Sequence, residues 1–302
     1  MTIDYRHARP ASLPARLTVA GLRLIGRRKM MLREIERQEF CHSPAPVPAS
    51  AHKRCRIKES ELNGRKLWIL SPRQTPSPTR VLYLHGGAFT RNIIRYQWDM
   101  VARLCELSGA TFIVPDYPLA PTDDWQTIQA FTLTTWNSLS QQGPLTLLGD
   151  SAGAGLALRL QQILAQRNLQ PAQQLILLSP WLNLAGDDPR SASIAPRDPM
   201  LEPAGVLAAA NAYAHDTDLK QAQISPLYGE LTTLNRLTIF AGGNDILYPD
   251  ALSLKTLARN ANVPTAFYDY PQMFHVWMAV SWLPEARKAQ QQIADLLRQP
   301  VI

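Results

Sequence analysis

From about residue 55 the chain alternates short apolar runs with longer stretches in which apolar positions recur every three or four residues. The short runs are Lys66–Leu70, Val81–Leu84, Thr111–Val114, Leu145–Leu148, Leu175–Leu178, Leu237–Phe240 and Ala266–Tyr268. Each is bounded by Gly, Pro or Asp, which marks strands, and several are apolar throughout, as strands covered on both faces are. The longer stretches, near 97–108, 126–141, 152–167, 250–261 and 284–298, have helical periodicity. This alternation predicts an α/β fold with a mostly parallel central sheet flanked by helices. The Pro-rich stretches 44–48 and 72–78 read as connectors. Two segments break the rhythm. Residues 1–45 precede every predicted strand, and a Pro- and Asp-rich loop over 185–220 carries a helical run from Pro203 to about Ala214. Both are expected over the end of the sheet as a helical cap, which divides the chain into 1–45 and a body of 46–302 with an insertion at about 185–220.

The length of 302 residues suits one such domain with a single large core. Hydrophobic residues at 46% and charged residues at 18% exclude a disordered chain. The net charge of +7 is unevenly spread: residues 1–58 hold 13 Lys and Arg against 4 Asp and Glu, and the remainder holds 18 against 20. A body this close to neutral lacks the cationic surface that nucleic acid requires. Cys41, Cys55 and Cys105 form neither a disulfide framework nor a zinc pattern, which fits a reducing, cytoplasmic setting. No apolar run approaches the ~18 residues of a membrane span, and Arg6, His7 and Arg9 are not followed by a signal-peptide core.

The chemistry concentrates in Gly149-Asp150-Ser151-Ala152-Gly153, which follows the strand Leu145–Leu148 and opens a small-residue helix. This is G-x-S-x-G in the strand–turn–helix setting of a nucleophile elbow. The turn strains the serine backbone and leaves no room for side chains at 149 and 153, while the helix N-terminus favours developing negative charge. The competing reading is an ordinary βα turn with a capping serine. A second motif, His85-Gly86-Gly87-Ala88-Phe89, follows the strand Val81–Leu84 and resembles a loop that offers backbone N–H groups to an oxyanion. His85 reads as ordering that loop. A base after Ser151 is either His215, which ends the 203–214 helix, or His275, just past the last predicted strand, and His275 is favoured. For the acid, Asp245 directly follows the strand Leu237–Phe240, whereas Asp250 reads as a helix N-cap or first-turn acid and Asp269 as lying within or at the end of a strand.

Together these motifs and Asp116-Tyr117-Pro118-Leu119-Ala120-Pro121, Ser179-Pro180-Trp181-Leu182-Asn183-Leu184 and Ser225-Pro226-Leu227-Tyr228 resemble the hormone-sensitive-lipase-like carboxylesterases of the α/β-hydrolase fold, over residues 65–298. The resemblance implies Ser151 as nucleophile, Asp245 as acid, His275 as base, and Gly86, Gly87 and Ala152 as oxyanion donors. It also implies a cap, and short- to medium-chain acyl esters as substrates. Three positions depart from the family pattern: Ala88 replaces the third glycine, Thr122 an acidic residue, and Ala154 a second glycine after Ser-Ala-Gly. The alternatives are a membrane-associated lipase or deacetylase of a sterol-like ester, and a receptor that keeps the fold without turnover.

No cofactor is expected, since neither G-x-G-x-x-G nor a Walker A lysine is present, and the six histidines show no metal-ligand spacing. Read as one helix, residues 16–35 place Leu17, Gly21, Leu24, Ile25, Met31, Leu32 and Ile35 on one side. Arg16, Arg23 and Arg27 fall on another, and Arg28 intrudes on the apolar side. Such a basic amphipathic helix either packs as a cap element or contacts an anionic membrane surface weakly. The oligomeric state, monomer or homodimer, is left open.

Overall fold

The computed structural model describes residues 3–74, 76–232 and 234–299. Residues 1 and 2 of the predicted 1–45 segment, Thr75 in the 72–78 connector, and residues 233 and 300–302 of the predicted body lie outside the described residues. Every predicted strand is found: β3 (Arg65–Pro72), β4 (Arg80–Leu84), β5 (Thr111–Pro115), β6 (Thr146–Asp150), β7 (Leu175–Leu178), β8 (Leu237–Gly242) and β9 (Thr265–Tyr270). With β1 (Ile3–Arg6) and β2 (Cys55–Leu62) they form one sheet in the order β1-β9-β8-β7-β6-β4-β5-β3-β2. All pairs are parallel except β2 with β3 and β3 with β5. The chain leaves β4 towards β5 and returns to place β6 on the other side of β4, so the loops after β4 and β6 diverge at a switch point. That crevice is where open α/β sheets hold ligands.

The all-apolar strands are explained by two cores, one on each face. On β7, Leu175 and Leu177 enter one core while Ile176 and Leu178 enter the other. Leu82 and Leu84 of β4 likewise face the opposite way from Val81 and Tyr83. Helices α5 (Trp125–Ser140), α6 (Ala152–Gln166) and α9 (Tyr248–Asn260) cover the first face, and α4 (Arg95–Ser108) and α10 (Pro284–Arg298) cover the second.

Two edge strands depart from the expected pattern. β1 opens the chain and pairs in parallel with β9, so the N-terminal segment contributes to the sheet as well as to the region above it. Four residues carry too little periodicity to be read alone; the exposed edge of β9 supplies the partner. β2 is a charged strand on the opposite edge, joined to β3 by Asn63 and Gly64, both in the left-handed region with φ of +53° and +74°. That geometry is a hairpin turn.

The 16–35 segment is not one helix. It forms α1 (Leu13–Leu24) and α2 (Arg27–Glu36), interrupted at Gly26, whose φ of +64° ends one helix and admits the next at an angle. A short α3 (Ala49–Arg54) leads into β2, and α7 (Pro189–Ile194) and α8 (Pro203–Ala214) lie in the 185–220 insertion. α2 packs on α8, where Leu32 crosses Gly205. Leu177, at the centre of the sheet, is fully buried. Leu177→Ala is therefore expected to destabilise the protein by about 2–5 kcal/mol, read as a lower urea midpoint at unchanged m.

Candidate active site

The site is assembled at the C-terminal ends of β4, β6, β7, β8 and β9. At the turn from β6 into α6, Ser151 takes φ +54° and ψ −122°, a region sparsely used by residues with a side chain. Backbone crowding holds it there. A Cβ on Gly153 would lie 2.1 Å from the Leu84 carbonyl oxygen, and one on Gly149 would lie 2.3 Å from that of Gly153. These glycines let strand, turn and helix touch.

His275 bridges the two ends of the site. Its Nε2 lies 2.8 Å from Ser151 Oγ and its Nδ1 lies 2.8 Å from Asp245 Oδ2. The remaining Asp245 oxygen accepts from the Leu247 N–H at 2.9 Å. The loops are locked together by backbone: Gly243 N–H donates to the Tyr270 carbonyl at 3.0 Å and Asn244 N–H to that of Met273 at 2.9 Å. The Ser179 hydroxyl, past the end of β7, accepts from the Val276 N–H at 3.0 Å and pins the histidine loop from below. Burial works against a charged imidazole, but Asp245, with Asp198 and Asp150 further off, outweighs it and holds the His275 pKa above the ordinary histidine value.

The rival residues are engaged elsewhere. Asp250 is buried in the first turn of α9, and its Oδ2 accepts from the N–H groups of Leu182 and Asn183, both at 2.9 Å. It ties down the loop after β7 rather than capping α9, and burial pushes its carboxyl up to about 7. Asp269 pairs with Arg6 at 2.7 Å and accepts from the Tyr248 hydroxyl at 3.1 Å. His215 ends α8, away from this network.

The loop after β4 requires one change to the expected donor set. Gly86 N–H donates to Asp150 Oδ1 at 3.0 Å, so Gly86 is committed to holding the loop and is not an oxyanion donor. The N–H groups of Gly87, Ala88 and Ala152 have no acceptor among the described residues. Ala88 adopts φ +54° despite its methyl group, and Gly87 at φ +141° could carry no side chain, since a Cβ would lie 2.1 Å from the Arg91 carbonyl oxygen. The strain is held by Phe89, which stacks on Tyr213 of α8 at 3.9 Å between ring centroids and packs against Trp181. His85 is fully buried, stacked on Tyr117, with Nδ1 2.9 Å from the Gly86 carbonyl oxygen. Burial pushes its pKa down to about 4, so it is neutral and structural.

Two aspartates escaped the sequence reading. Asp150 gathers the Gly86 N–H, the Gln97 amide at 2.9 Å and the Tyr83 hydroxyl, joining β4, α4 and the elbow. Asp198, in the 185–220 insertion, accepts from Met200 N–H, Leu201 N–H and, at 2.9 Å, Ile246 N–H, fastening the insertion to the Asp245 loop. Burial and the nearby Asp245 charge raise its pKa to about 6. Only burial would have identified either residue. Over the site lies a cavity of about 150 Å³ that reaches Ser151 and His275, with Met31 of α2, Val206 of α8 and Leu247 among its apolar walls.

This arrangement of turn, donor loop and bridging histidine accompanies a clear kinship. A family model described as alpha/beta hydrolase fold matches residues 81–279. The chain belongs to the α/β-hydrolase family. The hydrolase is 30% identical over 239 residues to an acetyl-hydrolase of Streptomyces hygroscopicus, spanning 76% of this chain and 78% of that one. It is 30% identical over 296 residues to LipR of Mycobacterium tuberculosis, spanning 96% and 90%. Among solved structures, an esterase from the bacterial hormone-sensitive lipase family superposes with a TM-score of 0.84 at 25% identity, over 97% of this chain and all of that one.

Two outcomes are expected of this hydrolase. Three donors converge on Asp150, so Asp150→Asn sets an amide N–H against at least one of them. It should cost about 1–3 kcal/mol of stability in urea titration and lower kcat by as much as ~10²-fold as the loop shifts. A general base must be neutral, and the His275 pKa is raised, so a reaction that uses His275 as its base should lose kcat/KM on the acid side through an apparent pKa above the ordinary ~6.5. A pH–rate profile from pH 5 to 9 checks this.

Proposed function

We propose that this esterase works as a serine carboxylesterase on small acyl esters, through Ser151, His275 and Asp245. The observation that carries the reading is a single buried histidine within 2.8 Å of both a strained serine hydroxyl and a carboxylate. In the reaction, His275 Nε2 takes the Ser151 proton as Oγ bonds to the ester carbonyl carbon. Charge develops on the carbonyl oxygen, where the N–H groups of Gly87, Ala88 and Ala152 and the N-terminus of α6 stabilise it. When the intermediate collapses, the imidazolium returns its proton to the departing alcohol. Water then repeats the sequence on the acyl-enzyme and releases the acid. Asp245 keeps Nδ1 protonated and stabilises the cation formed at each step.

The size of the site supports a short acyl group. A cavity near 150 Å³ is comparable to one that takes benzene, which leaves room for an acetyl or butyryl chain and little for a palmitoyl one. Ser151→Ala should lower kcat by about 10⁶ and Asp245→Asn by about 10⁴, and a fluorophosphonate probe should label the parent enzyme at Ser151 alone. Ester hydrolysis that survives Ser151→Ala would remove the assignment. In a p-nitrophenyl ester series from acetate to palmitate, kcat/KM should peak at the short end; a maximum at palmitate would replace the small-ester reading with that of a lipase.

A further inference from the structure

The basic amphipathic segment is only partly used by the site. Its second half, α2, turns inward, and Arg27, Met31 and Glu34 line the cavity. α1 does something different. One side packs on the body through Ala15, 1% exposed, with Val19 and Leu22 beside it. The opposite side carries Leu13, Leu17, Leu24 and Ile25, exposed by 65, 63, 89 and 65%. At ~100° per residue these four fall within an arc of about 120°, a continuous apolar face turned to solvent. Ser12 caps this helix and binds Glu285 at 2.7 and 2.9 Å, so the face is presented by an anchored helix rather than a loose end.

We infer that this face docks on an anionic lipid surface. The charges decide the occupant. Arg16 and Arg23, seven residues apart and both exposed, lie together along one edge of the apolar arc, Arg23 with one N–H on the Arg197 carbonyl at 3.2 Å; Arg9 and Lys29 are exposed just beyond its ends, and α1 contains no acidic residue. A second copy of the chain would cover the leucines but bring arginines towards arginines. An anionic bilayer surface takes the leucines into its acyl boundary and the arginines among its headgroups. The contact is peripheral, since no helix among the described residues is long and apolar enough to cross a membrane. The face also leads to the cavity. The Trp282 indole, 49% exposed, donates to the Thr18 hydroxyl of α1 at 3.2 Å and meets Tyr96 edge-on at 5.8 Å, and Tyr96 lines the cavity that holds Ser151. Tryptophan and tyrosine favour the headgroup level of a bilayer.

Flotation of the full chain with vesicles tests this without reference to catalysis. The protein should float with phosphatidylcholine vesicles containing phosphatidylglycerol, less with pure phosphatidylcholine, and less as salt rises. Leu17→Ser with Leu24→Ser should lower the bound fraction by roughly tenfold, and Arg16→Gln with Arg23→Gln should abolish the preference for anionic vesicles. Hydrolysis of soluble p-nitrophenyl acetate at the parent rate shows that these surface variants remain folded. The inference fails if the parent chain stays at the bottom of the gradient, or if the leucine variant floats as well as the parent. A dimer that the leucine variant dissociates, without vesicle binding, would overturn it in favour of self-association.

Discussion

The C-terminal edge of the sheet is organised around backbone contacts too close for any side chain. Because the β6–α6 turn presses on β4, with Gly153 against the carbonyls of Leu84 and His85, Ser151 is forced to a positive φ and its hydroxyl stands clear of the helix that follows. The same contact brings the loop after β4 beside Ala152, so the Ser151 hydroxyl and the N–H groups of Gly87, Ala88 and Ala152 are positioned by one constraint. Asp150, next to the serine, then ties that loop down through Gly86. A carboxylate that makes no hydrogen bond to His275 thus sets where those N–H groups stand, and its burial is tolerated because three donors answer it.

Other buried acids do comparable work at a distance. Among the described residues, Asp198 and Asp250 accept only from backbone N–H groups, and each joins segments remote in sequence: the 185–220 insertion to the Asp245 loop, and α9 to the loop after β7. Both carboxyls are pushed up by burial. The region around His275 is therefore rich in carboxylates, of which, among the described residues, only that of Asp245 hydrogen-bonds the imidazole. Geometry separates Asp245 from its neighbours where residue type does not.

The succession of strands along the chain, the elbow and the histidine that meets Ser151 were legible because each rests on local pattern: apolar runs of four or five, a Gly-x-Ser-x-Gly turn between strand and helix, and a histidine past the final strand. What was not legible depends on pairing at a distance. β1 is a strand only because β9 offers an open edge, and α1 and α2 separate at Gly26, a signal present in the sequence but hidden by the apolar stripe that runs through it. Asn63-Gly64 marked a hairpin that the charged character of β2 obscured. At the site, the Gly86 N–H that was expected to face an oxyanion is occupied by Asp150, a pairing that no local pattern in the sequence announces.

The segment carrying α1 and α2 is fastened at both ends. On one side β1 lies along β9, with Arg6 on Asp269 and the His7 N–H on the Asp269 carbonyl. On the other, the Cys41 carbonyl accepts from the Asn92 N–H and the Ala45 N–H donates to the Ile93 carbonyl. The helices between are thus a closed loop spanning the sheet rather than a free arm. The entropy of closing such a loop grows only logarithmically, about 0.6 kcal/mol for each doubling of length. That small closure cost applies to the exposed residues 37–39 after α2, where a change of length leaves the Ser151 turn untouched, whereas a change within α1 or α2 would also shift Ala15, Met31 and Leu32 out of their packed positions.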